Sequence, residues 1–277
     1  MIHHQIVDWD DAYTNGANIA GGDRWPAAWT EPAKVFREKL SSAGRAKLDL
    51  PYGQAERNRF DLFLPEGATR GLVVFVHGGF WMATDKSYWS HLAAGPVANG
   101  YAVALPSYTL CPEIRITGIV DEIATAIAAA AKLIEGPLML TGHSAGGHLA
   151  CRMVCASTPL AADVRQRIRH VLSISGLHDL RPLMRTAMNE RLRIDEAEAS
   201  AESPALLRPV VDGLRLTCWA GASERAEFLR QNALLANIWT GLGARTATVI
   251  EPDRHHYNVI EGLADAGHPL TKMLVSK

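Results

Sequence analysis

Gly142-His143-Ser144-Ala145-Gly146 sets a serine hydroxyl between two glycines, a spacing that lets a chain turn sharply from strand into helix with the serine thrust outward. Ser144 would then stand at a helix N-terminus, where aligned peptide dipoles favour developing negative charge. The chemistry this permits is nucleophilic attack on a carbonyl. A second stretch, His77-Gly78-Gly79-Phe80-Trp81, follows the apolar run LVVFV. Glycines there let the main chain approach a reacting oxygen, so the amides of Gly79 and Phe80, with Gly78 as a further contributor, are expected to join that of Ala145 in holding an oxyanion. Each motif alone has an ordinary explanation as a turn. Their occurrence in this order argues for a shared purpose.

Positioning such groups requires a rigid frame. Apolar runs at 60–65, 72–77, 101–108, 137–142, 170–176, 214–221 and 246–252 read as strands, and the later ones lack polar alternation, as expected when helices cover both faces. Helix-length segments fall between them at about 86–98, 117–134, 145–157, 224–240 and 257–265. This alternation predicts a mainly parallel central sheet flanked by helices on both faces. Residues 1–50, rich in Trp, Asp, Gly and Pro, read as an extension wrapped on the core with one helix at 32–41. Residues 180–209 interrupt the rhythm with charge and with Met184 and Met188, and read as a small helical cap. No repeat or Gly/Ser linker divides the 277 residues, so one domain is the economical count.

The series H-G-G-x-W, G-H-S-A-G-G, G-x-x-E and H-H-Y-N-V-I-E resembles the α/β-hydrolases of the kynurenine formamidase (arylformamidase) and esterase group, over about residues 50–265. The resemblance implies an α/β-hydrolase fold, a serine mechanism and the chain order serine, acid, histidine. His256, followed by Tyr257, matches the family's base, with His255 as its neighbour. Glu224, three residues after Gly221, matches the carboxylate, although relatives mostly carry Asp there. Asp179 is the rival acid, while Asp253 lies too close to the base in sequence to orient it. Such a base needs a carboxylate to hold its tautomer and to stabilise the imidazolium.

The remaining histidines have plainer roles. His77 is expected to brace the oxyanion turn, His143 to pack beside the nucleophile, and His148 to lie one turn further along the helix. Trp81, Tyr88 and Tyr108 are candidates to line a flat substrate pocket, with Phe80 and Trp89 nearby. Trp25 and Trp29 of the extension are candidates to close it.

Composition narrows the partners. With 28 Lys+Arg against 29 Asp+Glu the net charge is −1, which offers no basic surface for nucleic acid. No run of about 18 apolar residues suits a membrane span, and the N-terminus has no basic and apolar leader pattern, which points to the cytoplasm. Cys111, Cys151, Cys155 and Cys218 read as core thiols, because no further ligands complete a zinc site around the Cys151–Cys155 pair. No cofactor or metal is expected. The expected partner is a small-molecule substrate, and a homodimer is left open. The resemblance implies hydrolysis of an aryl formamide such as N-formylkynurenine. The alternatives are a broad carboxylesterase and, in another class, a catalytically idle binding module.

Overall fold

The computed structural model describes residues 5–276, so residues 1–4 of the expected extension lie outside it. Eight strands form one sheet: β1 (Ala46–Pro51), β2 (Arg59–Phe63), β3 (Leu72–Val76), β4 (Ala102–Pro106), β5 (Leu138–His143), β6 (Ile168–Ile174), β7 (Arg215–Gly221) and β8 (Arg245–Glu251). Their order is β1-β2-β4-β3-β5-β6-β7-β8. β2 is antiparallel to β1 and β4, and every other neighbouring pair is parallel. Every residue of β3, β4 and β5 is buried, which explains their largely apolar sequence.

The helices are α1 (Trp9–Tyr13), α2 (Trp25–Ser42), α3 (Ala94–Ala98), α4 (Ile116–Leu133), α5 (Ala145–Arg152), α6 (Ala162–Arg165), α7 (Asn189–Leu192), α8 (Glu196–Glu202), α9 (Ala226–Gly241) and α10 (Pro269–Val275). α4 shows why helices cover such a sheet. Its buried residues include Ile116, Ile119, Val120, Ile123, Ile127 and Ala130, a stripe at three- and four-residue spacing. That stripe joins Leu72, Val74, Leu138 and Leu140 in one core layer, while α2, α3 and α10 close the opposite face over Phe63, Val73, Phe75 and Val103. Truncating one such buried Leu or Ile to Ala costs about 2–5 kcal/mol.

Several boundaries differ from expectation. The helix of the extension starts at Trp25 rather than at residue 32, because Pro26 occupies the first-turn position where proline is tolerated and Pro32 lies inside the helix. β1, an unexpected eighth strand, sits at the sheet edge and is mostly exposed, so it carries no apolar run. The stretch expected as a helix at 86–98 divides into 3₁₀ turns at Lys86–Tyr88 and Ser90–Ala93 before α3, and that near 257–265 is a 3₁₀ helix at Val259–Ala264. α5 stops at Arg152 rather than 157. Beyond it the backbone pairs instead with residues 208–210, Val154 O accepting from Val210 N and Ala156 N donating to Arg208 O, both at 2.8 Å.

Residues 180–209 form short helical pieces, including α7 and α8, and bury Leu180, Leu183, Leu192 and Ala199. Arg115, just before α4, bonds Glu198 and Asp195 of this segment at 2.8 Å. Among the described residues no helix is long and apolar enough to cross a membrane. All four cysteines are buried and free.

Candidate active site

β5 delivers the chain to Ser144, whose φ of 55° and ψ of −118° lie outside the conformations that L-residues favour. Close packing enforces this elbow. A Cβ on Gly142 would stand 2.3 Å from the Gly146 carbonyl oxygen, and one on Gly146 would stand 1.9 Å from that of Val76. The two glycines flanking the serine are therefore demanded by backbone crowding against β3. Ser144 N donates to Ile174 O at 2.8 Å, which ties the elbow to β6 as well.

The turn after β3 lies across from the serine. Gly79 and Phe80 line the same cavity as Ser144, and the Gly78 backbone abuts the elbow, so that a Cβ there would lie 3.2 Å from Ser144 Cβ. No acceptor among the described residues takes a hydrogen bond from the amides of Gly79, Phe80 or Ala145. His77 Nδ1 lies 2.8 Å from Gly78 O and its ring stacks on Tyr108 at 4.2 Å. A carbonyl only accepts, so Nδ1 carries the proton. Burial holds this imidazole neutral, its pKa lowered to about 4.

His256 and Glu224 meet where β7 and β8 end. Gly221 is paired with Glu251 across those strands, and the loops that follow bring the two side chains together. His256 Nδ1 is 2.7 Å from Glu224 Oε2. Glu224 Oε1 accepts from Ser175 Oγ at 2.5 Å and from Gly221 N at 2.8 Å. The carboxylate is thus fixed by three donors in an enclosed position. Phe228 of α9 packs on the His256 ring at 4.4 Å, and His143 Nε2 donates to the His256 carbonyl at 2.8 Å. Burial, reinforced by the neighbouring His256, pushes the His143 pKa well below the usual histidine range. No hydrogen bond joins Ser144 Oγ to His256, but both line one cavity, and catalytic hydrogen bonds commonly close only when substrate is present.

The other carboxylates and histidines are engaged elsewhere. Asp179 is held by Arg181 through two contacts of 2.9 Å, which lower its pKa despite partial burial. His255 packs edge-on to Trp25, 5.2 Å between ring centroids. His148 Nε2 reaches the Glu202 carbonyl at 2.7 Å.

The cavity has a volume of about 360 Å³, within the range of small-molecule sites. Trp29, Phe80, Trp89 and Tyr257 give it aromatic walls. Three expected pocket residues are not among its lining. Trp81 and Tyr108 are completely buried in the core, Trp81 against His148 and Tyr108 against His77, and half-buried Tyr88 packs beside Trp89. They support the backbone of the site from behind. Trp29 does line the cavity, and Trp25 stands behind it at 6.0 Å. Sequence reasoning missed Tyr13 at the end of α1 and Asn15 just after it, and it had not placed Met188 of the 180–209 segment at the cavity. A larger concavity of about 700 Å³, lined by Phe36, Arg45 and Glu66 among others, has none of these groups.

Strand ends that converge in this way belong to the α/β-hydrolases, and the chain is a serine hydrolase of that class. Comparison with known proteins narrows the class: residues 60–207, just over half of the chain, match the BD-FAE family, and the chain belongs to it. It is 49% identical, with a TM-score of 0.92, to a crystal structure from Silicibacter sp. TM1040 for which thioesterase activity has been suggested, over 97% of this chain and 99% of that one. It is 29% identical to the kynurenine formamidase of Danio rerio over 251 residues, covering 87% of this chain and 85% of that protein. Esterase B of Lactobacillus rhamnosis, 17% identical over 91% of each chain, shares the fold with a TM-score of 0.67.

Proposed function

We propose that Ser144, His256 and Glu224 act as nucleophile, general base and orienting acid in the hydrolysis of an aryl formamide such as N-formylkynurenine. The observation that carries this reading is the His256 imidazole, held at Nδ1 by an enclosed carboxylate and facing the small aromatic-walled cavity that contains Ser144. With Nδ1–H committed to Glu224, Nε2 is the nitrogen free to accept a proton. The similarity to kynurenine formamidase supports the substrate class.

In the proposed reaction His256 Nε2 takes the Ser144 hydroxyl proton as Oγ attacks the formyl carbon. The oxyanion forms against the amides of Gly79, Phe80 and Ala145, with Gly78 shaping the turn that presents them. Collapse expels the aryl amine, protonated by the imidazolium, and leaves a formyl ester on Ser144. Water, deprotonated by His256, then releases formate. An aniline leaves more readily than an alkyl amine, and a formyl group needs little room beside the oxyanion amides. Neither step calls for a metal or a cofactor. The chain is read as one domain, with the described part of its N-terminal extension, residues 5–50, packed beside the site and residues 180–209 as a small cap. A cytoplasmic setting is our inference for it.

The similarity to the Silicibacter protein favours a second reading, hydrolysis of a small ester or thioester by the same groups. Comparing kcat/KM for N-formylkynurenine, phenyl acetate and acetyl thioesters on purified protein separates the two. The formamidase reading expects the formamide to be preferred; a much higher value for either acetyl substrate rejects it.

A further inference from the structure

The turn after β3 holds a backbone shape that most side chains resist. Gly79, Phe80 and Trp81 have φ of 99°, 48° and 56°, and Thr84 has 66°. A β-branched residue is a genuine outlier at positive φ, and such residues persist only where the surroundings over-determine them. The surrounding bonds are present. Met82 N donates to Gly79 O at 2.9 Å, and Cys111 N donates to Trp81 O at 2.8 Å. Arg57 donates from Nε to Tyr108 O at 2.7 Å and from Nη2 to Thr84 O at 2.5 Å, so a guanidinium clamps the far end of the turn by its main chain.

Thr84 is thereby a fixed post, and its side chain reaches back. The Thr84 hydroxyl donates to Gly78 O at 3.2 Å. His77 Nδ1 donates to the same carbonyl, but that donor sits on the adjacent residue and moves with the turn, whereas the Thr84 bond ties one end of the turn to the other. The peptide units here are trans and planar, so each C=O points opposite to the N–H that follows it. Holding Gly78 O toward His77 and Thr84 therefore sends the Gly79 N–H to the other side. Holding Gly79 O on Met82 N does the same for the Phe80 N–H. These are the amides that find no acceptor among the described residues, and Gly79, Phe80 and Thr84 line one cavity with Ser144.

We propose that Thr84 is a positioning residue whose hydroxyl, acting through the Gly78 carbonyl, aims the Gly79 amide at the oxyanion formed when Ser144 attacks. The proposal rests on the serine assignment above and not on the choice of substrate, and its test is built to fail separately from both.

Three variants separate the hydroxyl from the backbone shape. Thr84→Val keeps the branched outline without the hydroxyl, Thr84→Gly adopts positive φ freely without it, and Thr84→Ser retains it. The readouts are kcat and KM for phenyl acetate and N-formylkynurenine, with the thermal unfolding midpoint of each variant. Thr84→Val and Thr84→Gly are each expected to lower kcat by about 10-fold or more while KM changes by less than about 3-fold, the pattern of a loss felt only in the transition state. Thr84→Ser is expected to stay within about 3-fold of the unaltered protein. A folded Thr84→Gly that keeps more than a tenth of the native kcat overturns the proposal. So does a Thr84→Ser as impaired as the other two, or a change confined to KM or to the unfolding midpoint. Should Thr84→Val not fold, Thr84→Gly against Thr84→Ser decides by the same criteria. Turnover of phenyl acetate without N-formylkynurenine would remove the formamide reading, yet the ester kinetics still decide the role of Thr84. Undiminished turnover in Ser144→Ala would remove the serine assignment and this proposal with it, whereas a negative result at Thr84 leaves that assignment standing.

Discussion

Glu224 Oε2 stands 2.7 Å from His256 Nδ1 while its other oxygen is held by Ser175 Oγ and Gly221 N. The rival carboxylate, Asp179, spends both oxygens on Arg181. Glu224→Ala is therefore expected to lower kcat by about 10³–10⁴-fold, as loss of the orienting carboxylate does in serine hydrolases generally. Asp179→Ala should cost less than about 10-fold. Steady-state kinetics on any turned-over substrate would check this, and the opposite ranking would move the acid to Asp179.

How far this site could be read beforehand depended on how local each signal was. The elbow at Ser144 and the glycine turn after β3 were legible as local structure because each is one short run whose glycines answer to backbone crowding, as the 1.9 Å approach at Gly146 shows. Glu224 was legible as G-x-x-E because the Gly221 amide that opens the turn also binds the carboxylate. The pocket was not legible. Trp81 belongs to one of the motifs and Tyr108 follows β4, yet both face the core, whereas Asn15 and Trp29 reach the cavity although each lies more than a hundred residues before Ser144. Likewise β1 escaped notice because an exposed edge strand needs no apolar run.

Arg152 of α5 and Glu202 of α8 form an ion pair at 2.8 Å with both side chains only 4% exposed. It joins the helix behind Ser144 to the 180–209 segment. Arg152→Ala strands a buried carboxylate and is expected to cost about 3–5 kcal/mol, whereas the double replacement Arg152→Met with Glu202→Leu should recover most of that loss. Urea denaturation measures both, and a single-variant loss below about 1 kcal/mol contradicts the expectation.

Acid should unfold the protein through its histidines. Burial lowers the pKa of His77, His91 and His170 to about 4, of His148 and His178 to about 3, and of His143 well below the usual range. The unfolded chain binds these protons near pH 6.5 and the folded chain does not, so the stabilisation is complete above that pH and is lost as pH falls toward about 4 and 3. Within the window each histidine contributes about 1.4 kcal/mol per pH unit. Denaturation midpoints should fall steeply between pH 7 and pH 5, and His170→Gln should reduce the slope by about one proton. A flat profile over that interval is incompatible with six neutral buried imidazoles.

The assignment of Ser144 as nucleophile underlies everything said about function, and covalent capture tests it most directly. After reaction with a fluorophosphonate, intact-mass spectrometry should show one adduct per chain, peptide mapping should place it on Ser144, and Ser144→Ala should remain unlabelled. An unlabelled native protein, or an adduct that persists in Ser144→Ala, would contradict the account.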